Sequence, residues 1–502
     1  MKDLNRSMAT GAAWLIFVRL ATRLLGVVSV LILSRLLTPA DYGLVALATA
    51  IIAALELMTA FSFDVALIQR QDQSRAHYDT AWTITILFSA AIAIALAGLA
   101  IPMARFYGEP RLEAVMYVLA AGTIAEGFQN IGVVAFRKEM VFRKEFVFQV
   151  SKKVIAFAIT VPLAFWLRNY WALVAGIVAG KIGGTVLSYA AHPYRPRLST
   201  AAWAELFHFS RWLFVNNLLG FLRYRASDFV VGKLAGPAAL GAFNVSFELS
   251  QTPTSELVAP INRAVFPAYA QISGDRGRLQ QSYLDVVGMI AIFAIPAAAG
   301  IAVMADDLVA VLLGAKWVDA VPLIRVLGIA GMISALETNI GAAYLALGRP
   351  DIITKLYGFY VLLLVTLLIS FTYQWGVTGA AWGCLTAAVL NIPIYFGAML
   401  RTLSIALGRF LGVVWRPIIG SVLMYLTVYF VKNVAGNFGL QTSSMASLIA
   451  GTLTGVVAYI VVTTALWYAS AMPGGAETVL FDRARSLLRR RRVELAPRSS
   501  QP

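Results

Sequence analysis

Apolar residues occur in long runs that short polar stretches interrupt. A helix that crosses a bilayer needs roughly 20 consecutive, mostly apolar residues, and runs of that length recur along nearly the whole chain. They predict fourteen transmembrane helices, near residues 11–36, 40–68, 80–104, 113–134, 147–167, 170–191, 206–235, 238–270, 283–304, 320–347, 352–373, 376–400, 409–432 and 443–470. The pattern therefore predicts an all-α polytopic membrane protein with short loops.

Composition agrees with this pattern. Hydrophobic residues make up 59% of the chain, charged residues only 13%, and the mean hydropathy is +0.75, well outside the range of soluble domains. The first run contains Arg19 and Arg23 and has no small-residue cleavage site after it, so it predicts a retained helix rather than a signal peptide. The single cysteine, Cys384, excludes an intrachain disulfide and suits a small packing residue.

The net charge of +16 could indicate nucleic-acid binding, but the positions of the charges argue against it. Most lysines and arginines outside the apolar runs fall in every second loop and in the tail, which includes FDRARSLLRRRR at residues 481–492. This is the positive-inside pattern, and it predicts that both termini are cytoplasmic. The tail itself suits attraction to anionic headgroups, with partner binding or a pure orientation signal as the alternatives.

A repeat divides the chain. SRLLTPADYGLVALA at residues 34–48 aligns without gaps to GKLAGPAALGAFNVS at residues 232–246, and in that register Trp14 falls on Trp212, Pro39 on Pro237 and Gly43 on Gly241. Six predicted helices separate the copies, so both copies have the same orientation, as in alternating-access transporters with parallel repeats. We predict two six-helix lobes (1–205 and 206–402), two extra helices (403–471) and a basic cytoplasmic tail (472–502).

No catalytic, nucleotide or metal pattern appears in the sequence. The segment AGIVAGKI at residues 175–182 lacks the first glycine of a phosphate loop and the Ser or Thr after Lys181. The histidines, His77, His192 and His208, have no Cys or Glu at metal-ligand spacing. The sequence thus predicts a protein that is not an enzyme and that uses no cofactor, metal or ATP.

Charges inside the predicted helices are the candidate functional residues, because each is costly in a membrane and usually faces a cavity or a partner. Arg19 and Arg23 share one face of helix 1, and Lys181 and Arg223 lie in helices 6 and 7. None has an acidic partner within one helical turn. We expect these four to bind an anionic headgroup in a basic cavity.

The acidic residues in the spans leave two interpretations open. Glu56, Asp64 and Glu126 could be counterions of Arg19 and Arg23, or they could couple transport to an ion. Arg225 and Asp228, three residues apart, are expected to pair with each other.

Two further features concern conformation and the membrane surface. Pro253, Pro260 and Pro267 recur at seven-residue spacing in helix 8 and predict kinks, which could serve gating or packing. The loop AFRKEMVFRKEF at residues 135–146 repeats FRKE; its mixed basic and aromatic residues favour surface anchoring over capture of cargo.

Several motifs resemble the polysaccharide transporter family, the oligosaccharide flippases of the multidrug/oligosaccharidyl-lipid/polysaccharide (MOP) superfamily. They are ILSRLLTPADYGLVALA, the FDVALIQR ending of helix 2, the FRKE loop and PINRAVFPAYAQI at the end of helix 8. The resemblance covers about the first twelve helices.

The resemblance implies a bilobed transporter that moves polyprenyl-pyrophosphate-linked oligosaccharide units to the outer leaflet of a bacterial inner membrane. It also implies a polysaccharide polymerase and export machinery as further partners. A lipid II-type peptidoglycan precursor flippase and a cation-coupled multidrug antiporter of the same superfamily are the alternatives. A membrane-embedded glycosyl enzyme is a third.

Overall fold

The computed structural model describes residues 2–58, 75–139, 141–203, 213–437, 443–478 and 481. The described residues contain helices, turns and irregular segments but no β-strand. Thirteen long helices are assigned among these residues: α1 (Lys2–Leu36), α2 (Pro39–Met58), α3 (Arg75–Tyr107), α4 (Arg111–Gly127), α5 (Phe142–Leu167), α6 (Trp171–Ala191), α7 (Leu213–Leu234), α8 (Gly236–Ile272), α9 (Arg276–Val303), α10 (Ala320–Ala346), Pro350–Leu403, α13 (Leu407–Asn437) and α14 (Ser444–Ala469).

The long segment Pro350–Leu403 is two helices joined by a sharp turn. Trp375 has non-helical dihedrals, and Gly376 has φ +60° and ψ −144°, a conformation open in practice only to glycine. We name its arms α11 (350–374) and α12 (377–403). Counted in this way, the described residues contain the fourteen long helices that the apolar runs predict, and nine of the assigned helices are long and apolar enough to cross a membrane. The predicted fold class, an all-α polytopic membrane protein, is confirmed.

Some helix limits differ from the predicted ones because polar side chains set them. The fourth apolar run extends to residue 134, but α4 ends at Gly127, and Asn130 accepts a hydrogen bond from Gly132 N to begin a 3-10 turn at Ile131–Val134. α9 begins earlier than predicted because Asp275 caps it by accepting from Arg278 N at 3.0 Å.

The chain forms two compact units. Unit 1 comprises Met1–Asn244, Leu312–Trp317 and Leu368–Ala380, and unit 2 comprises Val245–Val311, Val318–Leu367 and Ala381–Pro502. In unit 1, α3 packs on α4, α5 on α6, α1 on α5 and α2 on α7. In unit 2, α9 packs on α10 and α13, and α13 on α14. The boundaries of the two predicted lobes stay a prediction.

The repeated segment begins helices α2 and α8, and its two copies meet inside unit 1. A Cβ atom added to Gly43 would overlap the Pro237 carbonyl oxygen, and one added to Gly241 would overlap the Pro39 carbonyl oxygen. The contact is reciprocal, so each copy offers its proline carbonyl to the other copy's glycine. We call it the α2–α8 crossing. The glycines serve here to let two backbones approach closely.

The first copy is also pinned by its own side chains. Thr38 and Asp41 form a capping box, since Asp41 N donates to Thr38 Oγ1 at 3.3 Å and Thr38 N donates to Asp41 Oδ2 at 2.9 Å. Asp41 Oδ1 also accepts from Tyr170 N at 3.0 Å, which ties α2 to the start of α6. Trp317 is fully buried and donates through Nε1 to Ser34 O at 2.8 Å. The end of α1 and the start of α2 are therefore held rigidly.

Candidate functional site

Carboxylates from two other helices of unit 1 converge on Lys181, which lies on α6. The Lys181 Nζ atom lies 2.6 Å from Glu126 Oε2 on α4 and 4.0 Å from Glu56 Oε1 on α2. It also donates to Thr123 Oγ1 at 3.3 Å. Lys181 has no acidic partner within one turn of α6, as its sequence indicates; the tertiary structure supplies its partners from other helices.

These side chains are open on one side. The Glu56 side chain is 49% exposed and that of Glu126 38%, whereas Lys181 is 15% exposed. A carboxylate facing hydrocarbon is costly, so exposed charges in a spanning helix normally face a water-filled space. The exposure of Glu56 and Glu126 therefore indicates access to water or to a polar ligand.

A second ion pair lies on α7, next to α2. Arg225 Nη1 is 3.0 Å from Asp228 Oδ2, and Asn244 Nδ2 donates to Asp228 Oδ1 at 2.9 Å. The predicted pairing of Arg225 with Asp228 is thus confirmed. Arg225 lies on α7, which packs on α2, the helix that carries Glu56.

We call these five residues, Glu56, Glu126, Lys181, Arg225 and Asp228, the polar patch. It contains two cations and three carboxylates, so the patch is not basic by itself. Any positive excess in a cavity must come from the other predicted cations. The structure also brings Glu126 to Lys181, a partner that the sequence did not assign to it, since it was expected to serve Arg19 and Arg23 or an ion.

The remaining predicted cargo-binding residues lie on described helices. Arg23 is half-buried in α1, and α1 packs on α5 through Trp14, whose ring centroid is 5.2 Å from that of Phe146. The Arg223 guanidinium on α7 lies 5.9 Å from the Tyr224 ring centroid. Arg19 lies within α1. A role in cargo binding stays a prediction for Arg19, Arg23 and Arg223.

The other predicted residues are placed as follows. Asp64 lies outside the described residues. Pro253, Pro260 and Pro267 all lie within α8, which is assigned as one helix from Gly236 to Ile272, and their proposed effect on gating stays a prediction.

Unit 2 contains a buried polar group whose amides the sequence reasoning missed. Asn391 Nδ2 on α12 donates to Glu337 Oε1 on α10 at 2.9 Å, and Tyr269 OH donates to Asn339 Oδ1 at 3.1 Å. All four residues are at most 5% exposed. Amides inside apolar runs were the available signal, because a buried polar group needs a hydrogen-bonding partner. Their burial favours a structural role.

Unit 2 also has an apolar cavity of about 520 Å³ between α9, α13 and α14. Its walls include Phe293, Pro296, Met304, Met424 and Tyr459. Gly451 and Gly455 leave room for this wall, since a Cβ on Gly451 would press against the Met304 side chain. The cavity has the dimensions of a small-molecule pocket and a lining suited to hydrocarbon.

Comparison with known proteins decides the family. Residues 32–322, more than half of the chain, match the family described as Polysaccharide biosynthesis protein. The chain belongs to this family. The predicted resemblance to a polysaccharide family is thereby confirmed.

Full-length relatives agree with the family. The lipopolysaccharide biosynthesis protein WzxC of Escherichia coli is 23% identical over 420 residues, covering 83% of this chain and 85% of WzxC. The succinoglycan biosynthesis transport protein ExoT of Rhizobium meliloti is 24% identical over 470 residues, covering 91% and 92%. The protein is a multi-pass membrane protein of polysaccharide biosynthesis.

Solved structures show the same fold. The lipid II flippase MurJ, in an inward closed conformation, superposes with a TM-score of 0.73 at 14% identity, over 91% of this chain and 100% of MurJ. An inward-facing multidrug resistance MATE transporter of the MOP superfamily reaches 0.56 at 15% identity, over 76% and 95%. At these identities the likeness establishes the fold alone.

Proposed function

We propose that the protein is a flippase that moves polyprenyl-pyrophosphate-linked oligosaccharide units across a bacterial inner membrane by alternating access, without ATP and without catalysing a reaction. The observation that carries the proposal is the polar patch: charges from α2, α4, α6 and α7 that meet in unit 1 of a polysaccharide biosynthesis protein, with Glu56, Glu126 and Arg225 partly exposed. A transported pyrophosphate and its sugars need such a wet, charged surface within the membrane.

In this proposal the cations bind the pyrophosphate. Arg19, Arg23 and Arg223 supply the positive charge that the polar patch lacks, and Lys181 joins them when it leaves Glu126. Protonation of Glu126 or Glu56 would weaken their hold on Lys181, because only the ionised carboxylate attracts the ammonium group. Glu56 and Glu126 would then be counterions of Lys181 in one stage of the transport cycle and would couple transport to an ion in another.

The apolar cavity of unit 2, taken by itself, has a lining suited to a polyprenyl chain. A polyprenyl chain is hydrocarbon and gains from burial against Phe293, Met304 and Met424 roughly in proportion to the apolar area removed from water. The basic loops support an orientation with both termini in the cytoplasm. A polymerase and export machinery would then act on the product at the outer face.

The test uses a strain that lacks its own flippase and accumulates the lipid-linked oligosaccharide on the inner leaflet. We expect the wild-type chain to clear this pool. Arg19→Gln, Arg23→Gln and Arg223→Gln combined should reduce export at least tenfold, because pyrophosphate loses its charged partners. Export by this triple variant at the wild-type rate would overturn the cargo site.

The matched control is Arg325→Gln. Arg325 lies on a spanning helix too, but it pairs with Asp306 in unit 2 and should leave export unchanged. The same strain separates the alternatives. Clearance of lipid II in place of the oligosaccharide, drug resistance without a glycan phenotype, or sugar incorporation by the purified protein alone would each overturn the proposed function.

A further inference from the structure

The FRKE loop forms one side of a cavity at the predicted cytoplasmic surface of unit 1. The cavity has a volume of about 580 Å³ and lies between this loop, the first turns of α5 and the last turns of α6. The first FRKE copy supplies Phe136 to its wall, and the second supplies Arg143 and Lys144. The duplicated motif thus builds a single feature, with an aromatic part and a basic part.

Buried contacts hold the walls of the cavity in place. Asn130 is fully buried and donates through Nδ2 to Tyr194 O at 2.7 Å, and its backbone N donates to Ser188 Oγ at 2.8 Å. Phe136 and Phe148 are buried together with Val133, and Leu187 packs against them. Because these contacts fix the walls, the cavity exists before any ligand binds.

Two exposed basic side chains, Arg143 and Lys144, line the cavity. Among the described residues, no carboxylate lies within ion-pair distance of Arg143 or Lys144, and both are exposed. Lys144 Nζ lies 5.7 Å from the Phe136 ring centroid. Glu145 is buried and accepts a hydrogen bond from Gln149 Nε2 at 2.8 Å.

The rest of the lining is apolar. Val147 is 53% exposed, and Leu187, Ala190 and Ala191 complete the wall on α6. A free phosphate ion would satisfy the two cations and leave the apolar wall in water, whereas a lipid with an anionic headgroup covers both. Basic residues at a membrane surface, next to exposed apolar side chains, are the typical setting for such lipids.

We propose that this cavity binds an anionic glycerophospholipid of the inner leaflet, with its phosphate at Arg143 and Lys144 and an acyl chain along Val147, Phe148 and Leu187. The lipid is a resident ligand and not the transported cargo, so the proposal does not rest on the proposed function. Its binding would brace the start of α5, on which α1 packs through Phe146.

The experiment measures lipid binding to the purified full-length protein by native mass spectrometry and by the lipid-induced rise in melting temperature. Phosphatidylglycerol is compared with phosphatidylcholine of the same acyl chains, and with inorganic phosphate and pyrophosphate. We expect preferential binding of phosphatidylglycerol. Arg143→Gln with Lys144→Gln should weaken it roughly 30-fold, from the usual attraction of two surface cations to anionic lipid.

Two further variants keep the result decisive. Lys153→Gln removes an exposed base on α5 that is not part of the cavity and should leave binding unchanged. Ala190→Trp fills the cavity without changing charge and should also abolish the preference. Equal binding of phosphatidylglycerol and phosphatidylcholine would overturn the proposal. So would a loss of binding in Lys153→Gln as large as that in the Arg143→Gln, Lys144→Gln variant, or pyrophosphate that binds the protein as tightly as phosphatidylglycerol does.

Discussion

The α2–α8 crossing and the polar patch lie in the same compact unit but consist of opposite kinds of residue. The crossing is a contact between backbones. Each copy of the repeat contributes one proline and one glycine to it. The patch is made of charged side chains that the repeat does not share. In the register of the repeat, the counterparts of Glu56, Glu126 and Lys181 are Thr254, Ile324 and Gly379.

This difference separates architecture from function. A duplicated segment keeps what both copies need, which here is close approach of two helices. A charge that only one copy carries has no equivalent structural task in the other. Two of the unrepeated charges, Glu56 and Glu126, are also partly exposed, at 49% and 38%, whereas Gly43 and Gly241 are buried. Variants at the crossing should therefore affect stability, and variants in the patch should affect transport.

The largest effect is expected from Gly43→Ala or Gly241→Ala. The new methyl group would overlap a proline carbonyl, and overpacking of this kind costs about 1–3 kcal/mol or more. We expect a clear fall in the melting temperature of the purified protein for both variants, and a similar fall for each because the contact is reciprocal.

Gly98→Ala is the matched control for the crossing. Gly98 also lies in a spanning helix, but an added Cβ would meet nothing within 4 Å. This variant should be neutral or slightly stabilising, since alanine favours helix by about 1 kcal/mol over glycine. Equal melting temperatures for Gly43→Ala and Gly98→Ala would show that the crossing does not constrain the fold.

The polar patch should show the opposite behaviour. Lys181→Gln should reduce oligosaccharide export about tenfold or more, because Glu56 and Glu126 lose their shared cation. The melting temperature should change little, because partly exposed ion pairs contribute about 0–1 kcal/mol. The reversed pair, Lys181→Glu with Glu126→Lys, tests whether the pair itself matters.

Two outcomes in the patch would contradict the comparison. One is a fall in melting temperature for Lys181→Gln as large as that for Gly43→Ala. The other is full export by Lys181→Gln, which would remove Lys181 from the transport cycle. Restored export by the reversed pair would limit its role to pairing and would exclude direct contact with pyrophosphate.

A smaller effect on stability than at the crossing is expected from Asp41→Ala, where the two copies of the repeat differ. Asp41 caps α2 and accepts from Tyr170 N, whereas its counterpart is Ala239 and α8 begins at Gly236 with φ +85°. Loss of a cap costs about 0.5–2 kcal/mol, which should lower the melting temperature modestly. An unchanged melting temperature would show that Trp317 and the crossing hold the start of α2 without the cap.

Much of the fold could be predicted because a bilayer-spanning helix is encoded by one continuous run of apolar residues. The apolar runs separate α11 from α12 at residues 374–375, beside the non-helical Trp375 and Gly376. Predicted helix limits were wrong where a polar side chain set the end or start of a helix, as Asn130 does after α4 and Asp275 does before α9. The buried amides Asn339 and Asn391 were missed because their partners are distant in sequence.

The sequence by itself determined the membrane setting, the fourteen helices, the repeat and the pairing of Arg225 with Asp228, because each depends on residues that are close in the chain or on composition. Only the tertiary structure decided that Pro39 and Pro237 each meet the other copy's glycine, and that Lys181 pairs with Glu126. Such contacts join helices far apart in sequence, and which faces meet depends on the packing of the whole unit. The repeat identified α2 and α8 as related helices, and the tertiary structure brought the charges of the polar patch together in the same unit.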